Sequence, residues 1–183
     1  MHPIVILDRD GTLIEDTGYL RDPEPVKLLP HVVEGFRLIR RKGYFIYVVS
    51  NQSGVGRGLI TMTEFEAVHE KVVKLLSDEN LFADGYGYCF HKPEDLCKCR
   101  KPEIGLVPEE LLGKRLDHSK GYVVGDRLGD LQLGHKLGMS SWLILTGVGK
   151  KTHTELSSKK LDAPWHSCEN LLDFAKRIPQ SSL

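Results

Sequence analysis

Apolar residues follow two rhythms along this chain, and the two alternate. Short, nearly unbroken apolar runs occupy 3–7, 44–49, 85–90, 121–124 and 141–145. They are rich in Ile, Val and aromatic residues and read as strands. Between them apolar positions recur at helical spacing. Val32, Val33, Phe36 and Ile39 mark a helix over 31–42, closed by Arg40, Arg41, Lys42 and then Gly43, as suits a helix C-terminus. Thr61 and Glu64 have the spacing of a capping box, and Phe65, Val68, Val72, Leu75 and Leu76 follow on one helical face. His69 lies in this helix and reads as a surface residue.

A short helix over 109–112, a helix over 128–137 ended by Gly138, an edge strand over 163–168 and a closing helix over 170–178 continue the pattern. The stretch 14–30, with three prolines, reads as a loop across the mouth of the first strand. Residues 53–60 read as a glycine-rich loop, and 150–160 as polar surface. Strands alternating with helices predict an α/β fold, a Rossmann-like three-layer sandwich with a mainly parallel sheet and helices on both faces. The length, 183 residues, suits a single domain spanning 1–183.

Polar chemistry gathers where the strands end. The first strand runs into Asp8-Arg9-Asp10-Gly11-Thr12. Side chains two apart share a face of an extended chain, so Asp8 and Asp10 can converge while Arg9 points elsewhere. Two close carboxylates repel unless a cation lies between them or one holds a proton; a hard metal is expected, and Mg²⁺ suits such oxygen ligands. The second strand ends in Ser50-Asn51-Gln52-Ser53-Gly54, where a hydroxyl and backbone N–H groups can hold phosphate oxygens. The fourth ends in Gly125-Asp126-Arg127. Asp126 is placed to complete the metal shell, and Asp130, a helical turn on, to act one layer behind it. Open α/β sheets bind ligands at the carboxyl ends of their strands, so one crevice can collect these groups. Asp16-Thr17-Gly18-Tyr19 is near enough to Asp8 to touch a substrate.

Three of the four cysteines cluster beside a histidine. Cys89, His91, Cys97 and Cys99 form a nitrogen and thiolate set that suits tetrahedral Zn²⁺. With four protein ligands the site has no open position and is structural, folding a loop over 89–99 that has few apolar residues; such sites contribute on the order of 10 kcal/mol. Cys168 stands apart as a small hydrophobe. Arg100 and Lys101 follow the last ligand, and Pro102 stiffens the exit, so the zinc loop delivers two cations to a fixed place.

Lys plus Arg and Asp plus Glu both number 25, for a net charge of zero. Nucleic-acid binders usually carry a basic excess, so the balance argues against one. No apolar run approaches the roughly 18 residues of a membrane span. The N-terminus lacks the features of a signal peptide, so a cytoplasmic home, no membrane partner and a monomeric state are expected.

Asp8-x-Asp10-Gly11-Thr12, Ser50-Asn51, Lys101 and Gly125-Asp126-x-x-x-Asp130 together resemble, in order, the four motifs of the haloacid dehalogenase superfamily of phosphatases. The resemblance covers roughly 4–149. The zinc loop resembles that of a subgroup holding D-glycero-D-manno-heptose-1,7-bisphosphate 7-phosphatases and histidinol-phosphate phosphatases. The resemblance implies that Asp8 forms an aspartyl phosphate and that Asp10 protonates the leaving alkoxide and then activates water. It implies that Ser50 and Lys101 hold the phosphoryl oxygens, and that Asp8, the Asp10 carbonyl and Asp126 bind Mg²⁺. The spacing from Asp10 to Ser50 leaves no room for a large cap domain.

The implied substrate is a small phosphorylated metabolite. Gly18-Tyr19, Asn51, Gln52, Ser53 and Arg57 look like the heptose group, and Arg57, Arg100 and Arg127 are expected to engage a second phosphate or sugar hydroxyls. The short gap from His91 to Cys97 looks more like the histidinol group. A nucleic-acid-binding zinc module and a DNA 3′-phosphatase are the readings of another class, and neutral charge counts against both.

Overall fold

A six-stranded, wholly parallel sheet carries the chain, in the order β3-β2-β1-β4-β5-β6. The computed structural model describes residues 3–108, 121–157 and 164–181. The strands are β1 (Ile4–Leu7), β2 (Phe45–Asn51), β3 (Gly85–Cys89), β4 (Tyr122–Gly125), β5 (Ser140–Ile144) and β6 (Trp165–Cys168). The helices are α1 (Val32–Arg41), α2 (Ser53–Gly56), α3 (Met62–Asp78), α4 (Leu128–Lys136), α5 (Gly149–Ser157) and α6 (Leu171–Arg177).

The strand interiors alternate between two cores. Val5 and Leu7 of β1, Ile46 and Val48 of β2 and Val124 of β4 pack with Phe36 and Ile39 of α1, Val68 and Val72 of α3 and Phe174 of α6. Ile4, Ile6, Tyr47, Val49 and Val123 face the other way and meet Leu133 of α4 and Val107. Period-two alternation with both faces apolar is what a sheet covered on both sides requires. The result is the three-layer sandwich the sequence predicts, with no large cap among the described residues.

One expectation is corrected: residues 53–56, read as a loop, form the short helix α2. The stretch 150–160 reads as polar surface, and its described part, 150–157, is largely exposed. It belongs to α5, which buries only Gly149, Thr152 and Leu156, so sparse an apolar face that it gives no helical rhythm to read. The helix expected over 109–112 lies outside the described residues.

Successive strands step from β1 outward to β2 and β3, then cross back to β4 on the other side of β1. The order therefore reverses between β1 and β4, where the flanking loops diverge and leave a crevice. Asp8 N–H donates to Val124 O at 2.9 Å, which fixes the end of β1 beside the end of β4.

Candidate active site

The turn after β1 sets the site. The Arg9 carbonyl accepts from Leu13 N and Ile14 N, and Gly11 N returns a bond to Ile14 O, so the chain reverses within a few residues. Gly11 has φ +81°, and a Cβ there would lie 2.1 Å from Asp126 Oδ2. Only glycine both takes this conformation cheaply and leaves room for the β4 acid. Gly147, after β5, makes the matching approach from the other side, where a Cβ would lie 2.3 Å from the same oxygen.

Asp8, Asp126 and Asp130 converge, with one oxygen from each lying within 4.8 Å of the others. All three are buried. Lys101 Nζ is 2.6 Å from Asp8 Oδ1 and 2.6 Å from Asp130 Oδ1, and donates to Val49 O at 2.7 Å. Asp126 Oδ2 accepts from Val148 N at 2.9 Å. Its Oδ1 is buried with no hydrogen-bond partner among the described residues, and Arg127 Nε stands off at 3.7 Å.

The electrostatics follow from that crowding. Burial raises the Asp8 carboxyl well above its usual range; Lys101 opposes the shift, and Asp130, Asp126 and Asp10 add to it. Burial likewise pushes Asp126 up to about 7, against the Val148 N–H bond. Burial works against the Lys101 charge, but Asp130 and Asp8 outweigh it and hold its pKa above that of an ordinary lysine. Three buried acids with one lysine between two of them, and an unpartnered carboxylate oxygen on the third, fit a hard divalent ion. Asp130, expected to act one layer behind, brings an oxygen within 4.8 Å of the other two, while its Oδ1 pairs with Lys101 and its Oδ2 accepts from Arg127 N at 3.1 Å.

Asp10 departs from the expectation of two carboxylates around one ion. Its carboxylate turns toward Arg9, whose Nη2 lies 2.9 and 3.0 Å from its oxygens. Gln52 Nε2 donates to Asp10 Oδ2 at 2.6 Å and Ser50 Oγ at 3.2 Å. Arg9 was expected to point away; it is buried and grips its neighbour instead, because the chain leaves extended geometry at once after Asp8.

A cavity of about 440 Å³ opens over these groups. Asp8, Asp10, Asp16, Gly18, Tyr19, Ser50, Asn51, Gln52, Ser53, Arg100, Lys101, Arg127 and Asp130 all line it. Two predicted contacts are not among its lining residues. Thr17 is exposed on the loop, and Arg57 pairs with Glu94 at 3.3 Å. Arg57 follows α2 directly. His69 is half-buried, not a plain surface residue, and its Nδ1 meets Tyr88 OH at 2.8 Å.

The second cluster sits beyond β3. Cys99 Sγ is 3.3 Å from Cys89 Sγ and 3.4 Å from Cys97 Sγ, Cys89 and Cys97 are 3.6 Å apart, and His91 Nδ1 is 3.2 Å from Cys99 Sγ. Thiolates on a tetrahedral zinc with bonds of about 2.3 Å lie about 3.8 Å apart, so this set can close on one such ion with little adjustment. Burial opposes thiolate formation at Cys97, but the N–H groups of Cys99 and Arg100 outweigh it and bring the thiol down to about 7. The loop is tied to β2 at two points. Lys101 N donates to Asn51 Oδ1 at 3.0 Å, and Asn51 Nδ2 donates to Lys101 O at 3.1 Å. Lys101 is thereby set by the cysteine loop on one side and β2 on the other.

A parallel sheet of this order, with paired acids on the turn after its first strand and an acid after the strand across the switch point, defines a haloacid-dehalogenase-like hydrolase. Residues 98–174 match the HAD-hydrolase-like family model. The D-glycero-beta-D-manno-heptose-1,7-bisphosphate 7-phosphatase of Bordetella bronchiseptica is 31% identical, over 98% of this chain and 99% of its own. The crystal structure of the D,D-heptose 1,7-bisphosphate phosphatase of B. bronchiseptica, complexed with magnesium and phosphate, superposes with a TM-score of 0.84 at 31% identity, over 95% of this chain and 96% of that one. The histidine biosynthesis bifunctional protein HisB of Baumannia cicadellinicola is 33% identical over 75% of this chain, which spans only 40% of that protein. The chain belongs to the haloacid-dehalogenase-like phosphatases, in the subgroup that holds the heptose-1,7-bisphosphate 7-phosphatases and the histidinol-phosphate phosphatases.

Proposed function

We propose that this phosphatase removes the 7-phosphate of D-glycero-D-manno-heptose 1,7-bisphosphate through an aspartyl phosphate on Asp8. The observation that carries the mechanism is the convergence of Asp8, Asp126 and Asp130 on one point, with Lys101 2.6 Å from Asp8. The substrate reading rests on relatives that match nearly end to end.

Asp8 attacks phosphorus, and the bond from phosphorus to the sugar oxygen breaks. Asp10 gives its proton to that leaving oxygen. A water then attacks the aspartyl phosphate and yields its proton to Asp10, the bond from Asp8 to phosphorus breaks, and inorganic phosphate departs. Ser50 and Lys101 hold the phosphoryl oxygens at the ends of β2 and the cysteine loop. Asp8, the Asp10 carbonyl and Asp126 hold Mg²⁺, with Asp130 behind or beside them. When bound, that ion neutralises phosphoryl charge. Positioning and charge neutralisation are what slow phosphate-monoester chemistry needs, up to about 10²¹-fold.

Arg100 and Arg127 line the cavity and serve the second phosphate or the sugar hydroxyls. Asp16, Gly18, Tyr19, Asn51, Gln52 and Ser53 form the remaining wall. Cys89, His91, Cys97 and Cys99 hold a structural Zn²⁺. The chain works as one domain, as a cytoplasmic monomer; no helix among the described residues is long and apolar enough to cross a membrane.

The test is phosphate release with Mg²⁺ from heptose 1,7-bisphosphate, histidinol phosphate and fructose 1,6-bisphosphate. The heptose ester should lead in kcat/KM, and Arg100→Ala should narrow its lead over an aryl phosphate. Preference for histidinol phosphate transfers the assignment to that ester and leaves the mechanism standing.

A further inference from the structure

Arg9 lies between the two acids of the β1 turn, with its side chain 2% exposed. Its Nε lies 3.2 Å from each oxygen of Asp10, and its Nη2 2.9 and 3.0 Å from the same pair. Nη1 is buried with no hydrogen-bond partner among the described residues. Its Cζ lies 5.8 Å from the ring centroids of Phe65 on α3 and Tyr88 on β3. Tyr88 is fixed in turn by His69 at 2.8 Å.

Burying a guanidinium is costly, and an apolar side chain would fill a space beside two aromatic rings without that cost. One nitrogen is left unsatisfied as well. What the cation gains is the two-point grip on Asp10, a grip whose planar fork fixes direction as well as charge.

We propose that Arg9 is a positioning residue that holds the Asp10 carboxylate in one plane at the cavity wall, so that one oxygen is presented first to the leaving group and then to water. Gln52 and Ser50, at 2.6 and 3.2 Å from Oδ2, complete the hold from the β2 side. This inference rests on the reading of Asp10 as the proton shuttle. The rings of Phe65 and Tyr88 act as walls that keep the guanidinium from swinging away.

The experiment compares Arg9→Lys and Arg9→Met with Asp10→Asn, with Mg²⁺, on 4-nitrophenyl phosphate and fructose 1,6-bisphosphate. Nitrophenolate leaves without a proton, whereas the sugar alkoxide needs one. Both Arg9 variants should release a first equivalent of nitrophenol at near the original rate and then turn over slowly. Their kcat on the sugar ester should fall by about 100-fold, with KM little changed. Arg9→Lys keeps the charge and most of the volume, and it carries the test if Arg9→Met does not fold. A loss shared equally by both esters with no burst, or rates unchanged on both, overturns the positioning role. Unchanged turnover by Asp10→Asn overturns the proton-shuttle reading itself, whatever the Arg9 variants do.

Discussion

Lys101 and Asp8 meet at 2.6 Å across 93 residues of chain, and both are buried at the floor of the cavity. The lysine answers two buried acids at once, because Asp130 lies equally close. Lys101→Met leaves both acids without their cation. Breaking a buried pair in this way costs about 3–5 kcal/mol. Urea unfolding without metal should show that loss. Losing a group that also neutralises the transferring phosphoryl should lower kcat by about 10²–10³-fold. Stability and kcat near the original values would remove Lys101 from the site.

Gly11 and Gly18 separate the two costs of a side chain at positive φ. Both have φ above +80°, but a Cβ on Gly11 collides with Asp126 and one on Gly18 meets nothing within 4 Å. Gly18→Ala should cost about 1–2 kcal/mol of backbone strain and little activity. Gly11→Ala adds overpacking, for a total of about 2–5 kcal/mol, and should abolish phosphate release by displacing Asp126. Thermal unfolding and an aryl phosphate assay on both variants check the contrast.

Divalent metal should stabilise the fold in a pH-dependent way. Asp126 has a folded-state pKa of about 7, above the roughly 3.9 of a free aspartate. The native state therefore holds a proton that the unfolded chain gives up, and the metal-free protein loses stability as pH rises from about 4 to 7. Mg²⁺ binds the ionised carboxylates and offsets this loss. The rise in Tm on adding Mg²⁺ should be larger at pH 7.5 than at pH 5, and an equal rise at both contradicts the acid cluster as the metal site.

Zinc should be present at one ion per chain by elemental analysis of the purified protein. Cys97→Ser removes one thiolate of the cluster whose sulfurs lie 3.3–3.6 Å apart. It should lower zinc content and Tm together. Because Arg100 N bonds Cys97 Sγ and Lys101 lies next along the chain, kcat should fall as well, with Asp8 untouched. A zinc-free protein of full stability and activity would leave the four side chains without that role.

The strand ends were the legible part of the sequence. Asp8, Ser50 and Asp126 each close an apolar run with a polar residue, and a parallel sheet with a single switch point leaves them nowhere to go but one crevice. The cysteine cluster was legible because local spacing alone sets it. Arg9 was hidden because alternation along a strand fails once the chain turns, and the turn begins at the residue in question. Helix α2 was hidden because two of its four residues are glycines, which favour no helix, and α5 because Thr152 and Leu156 are too few to set a rhythm. The Asp130–Lys101 contact joins a helix to a distant loop, and no sequence pattern reports such a distance.

The most direct check on the account is phosphate release by Asp8→Asn. This substitution keeps the shape of the side chain beside Lys101 and removes the attacking oxygen's charge. With circular dichroism and Tm close to those of the original protein, turnover should drop by at least about a thousandfold on every ester in the panel. A folded Asp8→Asn protein that still turns over within about tenfold of the original rate contradicts the covalent step on Asp8.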